Sequence, residues 1–399
     1  MSPKAARVGV DWIGIQGGVA TTALIGHILL KKGLAATGGL VTELPRFQNL
    51  GLPNWGDLVF AGHEIRRDSL WDSVQWLTDE RLVRREQLDA CHDELDAIDR
   101  RVRSGTIRNV GPTIQRLADR ELPTAEAPRQ TVARLQADLA EFVRRESLDH
   151  VIVMNVASTE PPIDTADWPT DWDAMDRWLD DPQCPLPASS LYAIAALEAG
   201  HSYLNFTPSL GSAPAAVDDL ALRRHTRHYG CDGKTGETLM KSVLAPMFAH
   251  RNLPVRSWVG HNIFGNRDGL VLDDPANKRS KVSSKDHLIG EILGYRPKTL
   301  VSIEYLPDLG DRKTAWDHIH FTGFLGVPMT LQFTWQGCDS ALAAPLVLDL
   351  VRLTELARRR GHTGLMTFLA SFFKSPYGVD QHAFERQFQM LEQWVQDVS

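Results

Sequence analysis

Cysteine is scarce in this chain of 399 residues. Its four cysteines are far apart and form no CxxC pair, so the sequence indicates neither a disulfide framework nor a structural zinc site. A reduced, cytoplasmic environment therefore fits the composition best. The cysteines are Cys91, Cys184, Cys231 and Cys338.

Positive charge is not in excess either. There are 43 lysine and arginine residues against 50 aspartate and glutamate residues, which gives a formal net charge of -7. Such a chain has no global attraction for nucleic acid or for an anionic membrane. No uninterrupted apolar run approaches the length of a membrane span, and the amino terminus lacks the pattern of a secretory signal. We expect neither nucleic acid nor a membrane as a partner.

The first organised feature is the stretch RVGVDWIGIQGGVATTALIGHILLKKG, from Arg7 to Gly33. A β-branched run is followed by Gly14, Gly17 and Gly18, and then by apolar residues at helical spacing. This pattern predicts a strand, a glycine turn and a helix, whose backbone N–H groups can approach a pyrophosphate closely. The spacing is GxxGG rather than GxGxxG, so a glycine turn that binds nothing is an equally open interpretation of this stretch alone.

Strand and helix patterns continue along the chain. A buried, parallel-type strand is predicted from His150 to Ser158, and it opens into a loop at the end where doubly wound sheets bind ligands. Helical segments are predicted at 79–103, 132–146 and 190–199. With 43% hydrophobic residues, a chain of this length can bury a large core, which predicts two domains or one domain with a large insertion.

A second glycine turn lies in GCDGKTGETLMKSVLAPMF, from Gly230 to Phe248. The letters GKT suggest a phosphate-binding P-loop, but His228 stands where that spacing needs a glycine, so this interpretation fails. The remaining prediction is a turn leading into a helix that begins near Thr235, and a helix N-terminus can bind an anion. Lys241 is expected to be an ordinary surface lysine of that helix.

A series of sequence blocks carries a resemblance to a known family. The chain resembles the myo-inositol-phosphate synthase family, especially its compact archaeal-type members, over nearly its whole length. The blocks occur in family order between residues 41 and 376, and they are VTELPRF, GHEIR, NVASTEP, NFTPSLGSA, DGKTGET, HNIFGNRDG, SKVSSKD, DRKTAWD, AAPLVLDL and FFKSP.

The resemblance implies an α/β fold. A Rossmann-type dinucleotide-binding domain would carry an inserted α+β domain, which in the family provides catalysis and the contacts of a homotetramer. Residues 1–236 would form the NAD-binding domain and residues 237–342 the inserted domain. Residues 343–399 would then form the C-terminal return to the NAD-binding domain.

The resemblance also implies an NAD-dependent isomerase that cyclises a hexose 6-phosphate. In the family, NAD oxidises C5, the resulting ketone acidifies C6, the C6 enolate attacks the C1 aldehyde, and the hydride returns to C5. No net redox change occurs. We therefore expect glucose 6-phosphate as the substrate and a myo-inositol phosphate as the product. A requirement for an accessory cation is left open.

Several lysines are implied at the reacting centre, because a phosphate dianion and a developing enolate both require cationic donors. Crowded ammonium groups depress one another's pKa below the free value of about 10.4, so one of them can transfer protons near neutral pH. By the resemblance, Lys281 transfers the proton at the C5 oxygen and stabilises the enolate, while Lys285 binds the phosphate. Lys313 lies between the phosphate and the C5 oxygen, and Lys374 polarises the carbonyl under attack.

Acidic, amide and backbone groups complete the implied site. The carboxylates that would orient the lysines and the nicotinamide end are Asp232, Asp268 and Asp339. The further substrate-binding positions are Asn262, Thr235, Gly236 and Glu237, the last three of which would bind phosphate with Lys285 through backbone and side chains. The implied NAD-binding positions are Gly14, Gly17, Gly18, Val19, Glu64, Ala157, Ser158 and Thr159. Gln16 and Val19 stand where many members carry glycine and asparagine.

Two alternatives stay open. The same enolate attacking the C2 ketone of fructose 6-phosphate would close a five-membered ring, and His261 and Gln336 depart from the expected pattern in ways that could reshape the sugar pocket. A non-catalytic NAD-binding sensor or scaffold is the alternative from another class, but it would be favoured by lost lysines and none is lost. His318 and His320 are more typical of a structural role than of a metal site, so no metal ligand is assigned.

Overall fold

The computed structural model describes residues 7–123, 126–265 and 288–398. Within these ranges the chain forms a seven-stranded sheet and a four-stranded sheet. The strands are β1 (Val8–Ile13), β2 (Leu58–Glu64), β3 (Val102–Ser104), β4 (His150–Asn155), β5 (Ser202–Asn205), β6 (Arg227–Gly230), β7 (Val255–Phe264), β8 (Lys298–Tyr305), β9 (Arg312–Thr322), β10 (Pro328–Cys338) and β11 (Gly364–Leu365).

The α-helices lie between and around these strands, and residues 288–293 are also helical. The helices are α1 (Gly18–Lys31), α2 (Leu70–Val74), α3 (Trp76–Asp79), α4 (Arg85–Asp89), α5 (His92–Asp99), α6 (Pro112–Leu117), α7 (Pro128–Glu146), α8 (Trp172–Asp176), α9 (Ala188–Glu198), α10 (Ala215–Arg223), α11 (Gly236–His250), α12 (Asp339–Arg359) and α13 (Phe384–Val398). None of the described helices is both long and apolar enough to cross a membrane.

The larger sheet has the strand order of a dinucleotide-binding domain. Its order is β3-β2-β1-β4-β5-β6-β11, and all neighbouring strands are parallel. The chain reverses its direction of progress across the sheet between β1 and β4. Ligands of such sheets bind at this reversal, outside the carboxyl ends of the strands. The fold therefore places a candidate site beside the glycine turn that follows β1.

Both faces of the larger sheet are covered by helices, as a parallel sheet requires. Every residue of β1 and β4 is buried. On one face, Val10 and Trp12 join a core cluster with residues of α1, α12 and α13. On the other face, Ile13 and Val151 pack in a cluster with α7, α9 and α10. Because α12 follows the smaller sheet in the chain, its packing returns the polypeptide to the larger sheet.

The smaller sheet has the order β10-β9-β7-β8, with β7 and β8 parallel and the other pairs antiparallel. Buried and more exposed residues alternate along its strands, so one face of this sheet is buried and the other is open. On the buried face, Trp258 packs with Phe248 of α11 and Ile319 of β9. The turn between β9 and β10 exposes Phe324 and Leu325, at 86% and 84% of their maximal areas.

The structure confirms most of the predicted elements. The strand, turn and helix of residues 7–33 are β1 and α1, and the helices predicted at 132–146 and 190–199 are α7 and α9. The prediction for 79–103 was wrong at its end, where Val102–Ser104 forms strand β3 instead of continuing a helix. This short strand pairs with β2 at the sheet edge, a tertiary contact that overrides local helical preference.

Candidate active site

The glycine turn after β1 is closed by backbone contacts that only glycine permits. Gly14 has a φ of 81°, and a Cβ there would lie 2.8 Å from the Cα of Ala157. Its N–H donates to the carbonyl of His63 over 2.9 Å, and the N–H of Gly17 donates to the Gly14 carbonyl over 2.9 Å. The turn is thus held against both the end of β2 and the loop after β4.

The N-terminus of α1 fits an anionic group such as a pyrophosphate. Gly17 precedes the helix and offers no side-chain cap, and the first turn contains no acidic residue. A Cβ on Gly18 would lie 2.7 Å from Ser340 Oγ, so the first turn of α1 meets the first turn of α12. Uncapped N–H groups at a helix N-terminus bind phosphate oxygens. Val19, the fourth predicted residue of this turn, lies half-buried in the same turn of helix.

Glu64 lies beside the turn, at the end of β2, and it is buried. Its Oε2 accepts from the N–H of Gln16 over 3.0 Å, and its Oε1 accepts from the N–H of Ile65 over 2.8 Å. The carboxylate therefore holds the backbone of the turn. The donor at position 16 is the peptide N–H and not the side chain, which explains why glutamine is compatible with the turn at this position. Contact of Glu64 with a ribose stays a prediction.

The remaining predicted cofactor residues follow β4. Ala157 lies against Gly14, Ser158 is half-buried and Thr159 is buried. The next residue, Glu160, accepts from the N–H of Ser189 over 2.8 Å. Burial raises the pKa of Glu160 to about 7, although its hydrogen bonds with Ser189 act in the opposite direction. The loop is therefore anchored by a buried carboxyl group.

Lys374 and Asp232 form a buried ion pair. The Lys374 ammonium lies 2.7 Å from Asp232 Oδ1, and the Lys374 N–H donates to the Asp232 carbonyl over 2.7 Å. Asp232 follows β6 and has a φ of 61°, and its N–H donates to the carbonyl of Thr207, which follows β5. The pair therefore lies at the same sheet edge as the glycine turn.

Lys313 and Asp339 form a second pair. The Lys313 ammonium lies 3.3 Å from Asp339 Oδ2 and 5.3 Å from the centre of the Phe264 ring. Asp339 is the first residue of α12, so the pair joins β9 to the helix that meets α1. The next residue, Ser340, donates through its N–H and its hydroxyl to Asp311, each over 3.0 Å. Asp311 was not among the predicted site residues.

The turn before α11 has the geometry of a second helix N-terminus. Thr235 is extended and Gly236 has a φ of 50°, with its Cβ position 3.4 Å from Trp335 Nε1 of β10. The Glu237 carboxylate is buried and lies 2.6 Å from the Lys241 ammonium. A carboxylate repels a phosphate dianion, so we restrict the expected contact of Glu237 to its backbone N–H. Asn262 is fully buried on the inner face of β7.

Three predicted site residues lie outside the described part of the chain. They are Asp268, Lys281 and Lys285.

One lysine was misjudged from the sequence. Lys241 is not a surface residue, since only 1% of it is exposed. Lys234 is the lysine of the letters GKT, and no role was predicted for it from the sequence. It is also buried, and its ammonium contacts Gln387 of α13. Burial, and then the charge of Lys374, lower the pKa of Lys234 to about 7. The available signal for Lys241 was its spacing of four residues from Glu237, which places both side chains on one helix face.

His261 and Gln336, the two residues that depart from the expected family pattern, lie on the exposed face of the smaller sheet. His261 is exposed, and its Nδ1 lies 2.5 Å from Ser302 Oγ while its ring stacks on Trp316. Asn262 is the next residue along the strand, so its side chain lies on the opposite face. Gln336 is also exposed, on the outer face of β10. Strand alternation thus places both side chains on the face opposite Asn262, and an effect of these residues on the sugar pocket stays a prediction.

Metal ligands do not cluster in the described ranges. There, no group of three or more histidine, cysteine, aspartate or glutamate side chains could hold a metal ion. His318 and His320 lie on the outer face of β9, where the ring of His318 contacts Trp316.

His63 is buried, and its carbonyl accepts a hydrogen bond from the N–H of Gly14 in the glycine turn. Its charged neighbours lead us to predict a pH-dependent stability. Nδ1 of His63 lies 2.9 Å from Asp11 and Nε2 lies 3.3 Å from Asp138. Burial alone would lower the pKa of His63, but the two aspartates outweigh it and raise the pKa to about 9. Because the folded-state pKa of His63 lies above the unfolded value of 6.5, protonation of His63 stabilises the folded state. This contribution is fully present below pH 6.5 and disappears as pH rises through about 9.

We expect His63→Gln to remove this contribution, which is about 3 kcal/mol at pH 6. The measurement is the free energy of unfolding in urea, at pH 6 and above pH 9, for both proteins. The difference between them should shrink as pH rises. The exposed His92→Gln serves as control and should leave the profile of the wild-type protein unchanged. Equal profiles for His63→Gln and wild type would contradict the assignment of a buried imidazolium.

Comparisons with known proteins agree over nearly the whole chain. A family model described as myo-inositol-1-phosphate synthase matches residues 8–396. An inositol-3-phosphate synthase of Bacteroides thetaiotaomicron is 33% identical over 418 aligned residues, covering 99% of this chain and 94% of that protein.

Two solved structures share the fold. An inositol-3-phosphate synthase of Caenorhabditis elegans has a TM-score of 0.89 at 23% identity, covering 99% of this chain and 86% of that one. A myo-inositol-1-phosphate synthase-related protein of Thermotoga maritima has a TM-score of 0.79 at 23% identity, covering 98% of each chain. With the match to the family model, these findings lead to one conclusion. The chain belongs to the myo-inositol-1-phosphate synthase family.

Proposed function

We propose that this protein is an NAD-dependent cyclitol-phosphate synthase that converts glucose 6-phosphate to an inositol phosphate. Membership of the family and the relative named inositol-3-phosphate synthase, at 33% identity over 99% of the chain, support this activity. The observation that carries the proposal is the buried Lys374–Asp232 pair at the sheet edge that also presents the glycine turn. An ammonium fixed there can act on a substrate that meets the cofactor.

The cofactor would be held by the glycine turn and the N-terminus of α1. Gly14 and Gly18 let the turn pack closely against Ala157 and Ser340, where a Cβ would collide, and the helix end offers uncapped N–H groups. When bound, NAD would supply a hydride acceptor for C5; the resulting C5 ketone would acidify C6, and the hydride would return to C5 after ring closure with no net redox change. Glu64 would keep the turn in place through its bond to the N–H of Gln16.

The lysines supply positive charge where negative charge develops. Lys374, oriented by Asp232, would donate to the C1 carbonyl oxygen as the C6 enolate attacks it. Lys313, oriented by Asp339, would lie between the phosphate and the C5 oxygen. Proton transfer by Lys281, phosphate binding by Lys285 and orientation by Asp268 rest on the resemblance alone, because these residues lie outside the described ranges.

The phosphate would bind at the N-terminus of α11. The Thr235, Gly236 and Glu237 backbone forms the first turn there, and the left-handed φ of Gly236 shapes it. Asn262 would contact the sugar from β7. A phosphate is present in both the ground state and the transition state, so these groups should affect substrate binding more than turnover.

The two sheets support the proposed division into domains. We propose that residues 1–236 and 343–399 form the NAD-binding domain around the larger sheet, and residues 237–342 the inserted domain around the smaller one. The open face of the smaller sheet, and the exposed Phe324 and Leu325 beside it, would form contacts in a homotetramer. Light scattering on the purified protein tests this assembly.

Product analysis tests the proposed reaction. We expect the protein to carry NAD, to convert glucose 6-phosphate to an inositol phosphate identified by NMR, and to accumulate no NADH during turnover. A parallel incubation with fructose 6-phosphate serves as the comparison and should give no cyclic product. Stoichiometric NADH formation would indicate a dehydrogenase instead. A cyclopentane product from fructose 6-phosphate alone would replace the substrate but keep the cofactor and the enolate chemistry.

A further inference from the structure

A buried ion cluster lies directly behind the proposed phosphate turn. Lys241 and Glu237 are each 1% exposed, and their charged atoms lie 2.6 Å apart within α11. The Lys241 ammonium also lies 3.9 Å from Asp317 Oδ1 of β9, and Asp317 is fully buried. One ammonium therefore contacts two carboxylates, one on the helix and one on the smaller sheet.

The sheet side of the cluster is tightly fixed. Asp317 accepts from the indole N–H of Trp258 over 2.7 Å. Gly260, on the strand between them, approaches all three charged groups. A Cβ there would lie 2.6 Å from Glu237 Oε1, 3.2 Å from Asp317 Oδ1 and 3.3 Å from Lys241 Nζ. The backbone of β7 thus comes so close to the cluster that a side chain would displace it.

This arrangement differs from a helix surface pair. An exposed pair four residues apart adds little to stability, whereas removing one partner of a buried pair leaves an uncompensated charge in the interior. Here the first turn of α11, through Glu237, is tied by Lys241 to a strand eighty positions further along the chain. The ammonium also compensates a carboxylate that stands in the turn proposed to hold a dianion.

We propose that Lys241 is a positioning residue for the substrate phosphate. It fixes the Thr235–Glu237 turn against β7 and β9 and compensates the Glu237 charge, so that the turn can accept a phosphate monoester dianion. Lys241 does not contact the substrate in this assignment. The inference rests on the proposed function, because it assigns the phosphate to this turn.

The test compares the intact NAD-loaded protein with Lys241→Met, Lys241→Arg and the double variant Glu237→Gln/Lys241→Met. For each, KM and kcat are measured with glucose 6-phosphate, and the Kd of inorganic phosphate is measured by calorimetry. We expect Lys241→Met to raise KM and the phosphate Kd by about tenfold or more, with a much smaller change in kcat. The double variant should recover most of the loss, since the uncompensated carboxylate in the turn itself is gone, while Asp317 keeps its hydrogen bond from Trp258. Lys241→Arg should recover part of it.

The controls separate positioning from folding. Lys298→Met removes an exposed lysine at the start of β8 and should leave KM and the phosphate Kd unchanged. A lower melting temperature for Lys241→Met with KM and Kd unchanged would overturn the proposal, as would absence of phosphate binding by the wild-type protein. If Lys241→Met does not fold, the double variant Glu237→Gln/Lys241→Met tests the proposal. A phosphate Kd of the double variant that is about tenfold or more above that of the wild-type protein would overturn the role of charge compensation. If the wild-type protein binds phosphate but turns over no hexose 6-phosphate, the proposed function is refuted. The role of Lys241 in phosphate binding is then tested by the phosphate Kd values of the variants alone.

Discussion

Replacing Lys374 by methionine is expected to reduce kcat by about 10²–10³-fold, because loss of one donor to a developing oxyanion typically costs that much. The ammonium lies 2.7 Å from Asp232 at the carboxyl edge of the larger sheet. KM should change much less, since the donor acts mainly as charge develops on the carbonyl oxygen. Steady-state kinetics with glucose 6-phosphate measures both constants.

Stability must be measured alongside these rates. Removing one partner of a buried ion pair can cost about 3–5 kcal/mol, because the other charge stays buried. The double variant Asp232→Asn/Lys374→Met removes both charges and should recover stability without recovering kcat. Lys32→Met, at a partly exposed lysine paired with Glu94, should change neither. Near-normal kcat in a folded Lys374→Met protein would refute the assigned role.

Replacing Gly14 by valine is expected to abolish NAD binding and, with it, all turnover. The position has a φ of 81°, which β-branched residues strongly avoid, and a Cβ would lie 2.8 Å from the Cα of Ala157. Backbone atoms cannot yield as the end of a flexible side chain can, so the turn must open. The measurement is the NAD content of the purified protein, followed by titration with added NAD.

Another glycine of the same segment provides the matched control. Gly26 lies inside α1, and a Cβ there would meet nothing within 4 Å. Gly26→Ala should retain NAD and stabilise the helix by about 0.5–1 kcal/mol, because alanine loses less conformational entropy than glycine. Stoichiometric NAD in the Gly14→Val protein would show that the turn does not hold the cofactor.

The sequence predicted the strand, glycine turn and helix of residues 7–33 well because their signals are local. Glycines after a buried strand and before a helix with apolar residues at helical spacing specify a turn through the conformations and spacing of adjacent residues. β1 and α1 follow this pattern, and the turn at Gly14 adopts the left-handed φ that glycine permits. The block pattern of the family then identified Lys374 and Asp232, although 142 positions separate them, and the structure brings them to 2.7 Å.

The direction of a side chain in the smaller sheet could not be read in the same way. His261 and Asn262 are neighbours in sequence, yet one is exposed beside Trp316 and the other is fully buried. Which of the two faces the core depends on the register of β7 with β9 and on the packing of α11 against one side of the sheet. A one-residue change in register would exchange their roles.

What the sequence determined by itself is most of the local elements, the family and the candidate residues of the site, since these depend on patterns and ordered blocks. Only the tertiary structure decided which charges are buried and paired. Lys241 has the sequence appearance of an ordinary helix-surface lysine, and it is the approach of Asp317 and Gly260 from the smaller sheet that buries its ammonium against Glu237. Burial depends on what other elements place opposite a residue, and that information is not contained in its immediate neighbours along the chain.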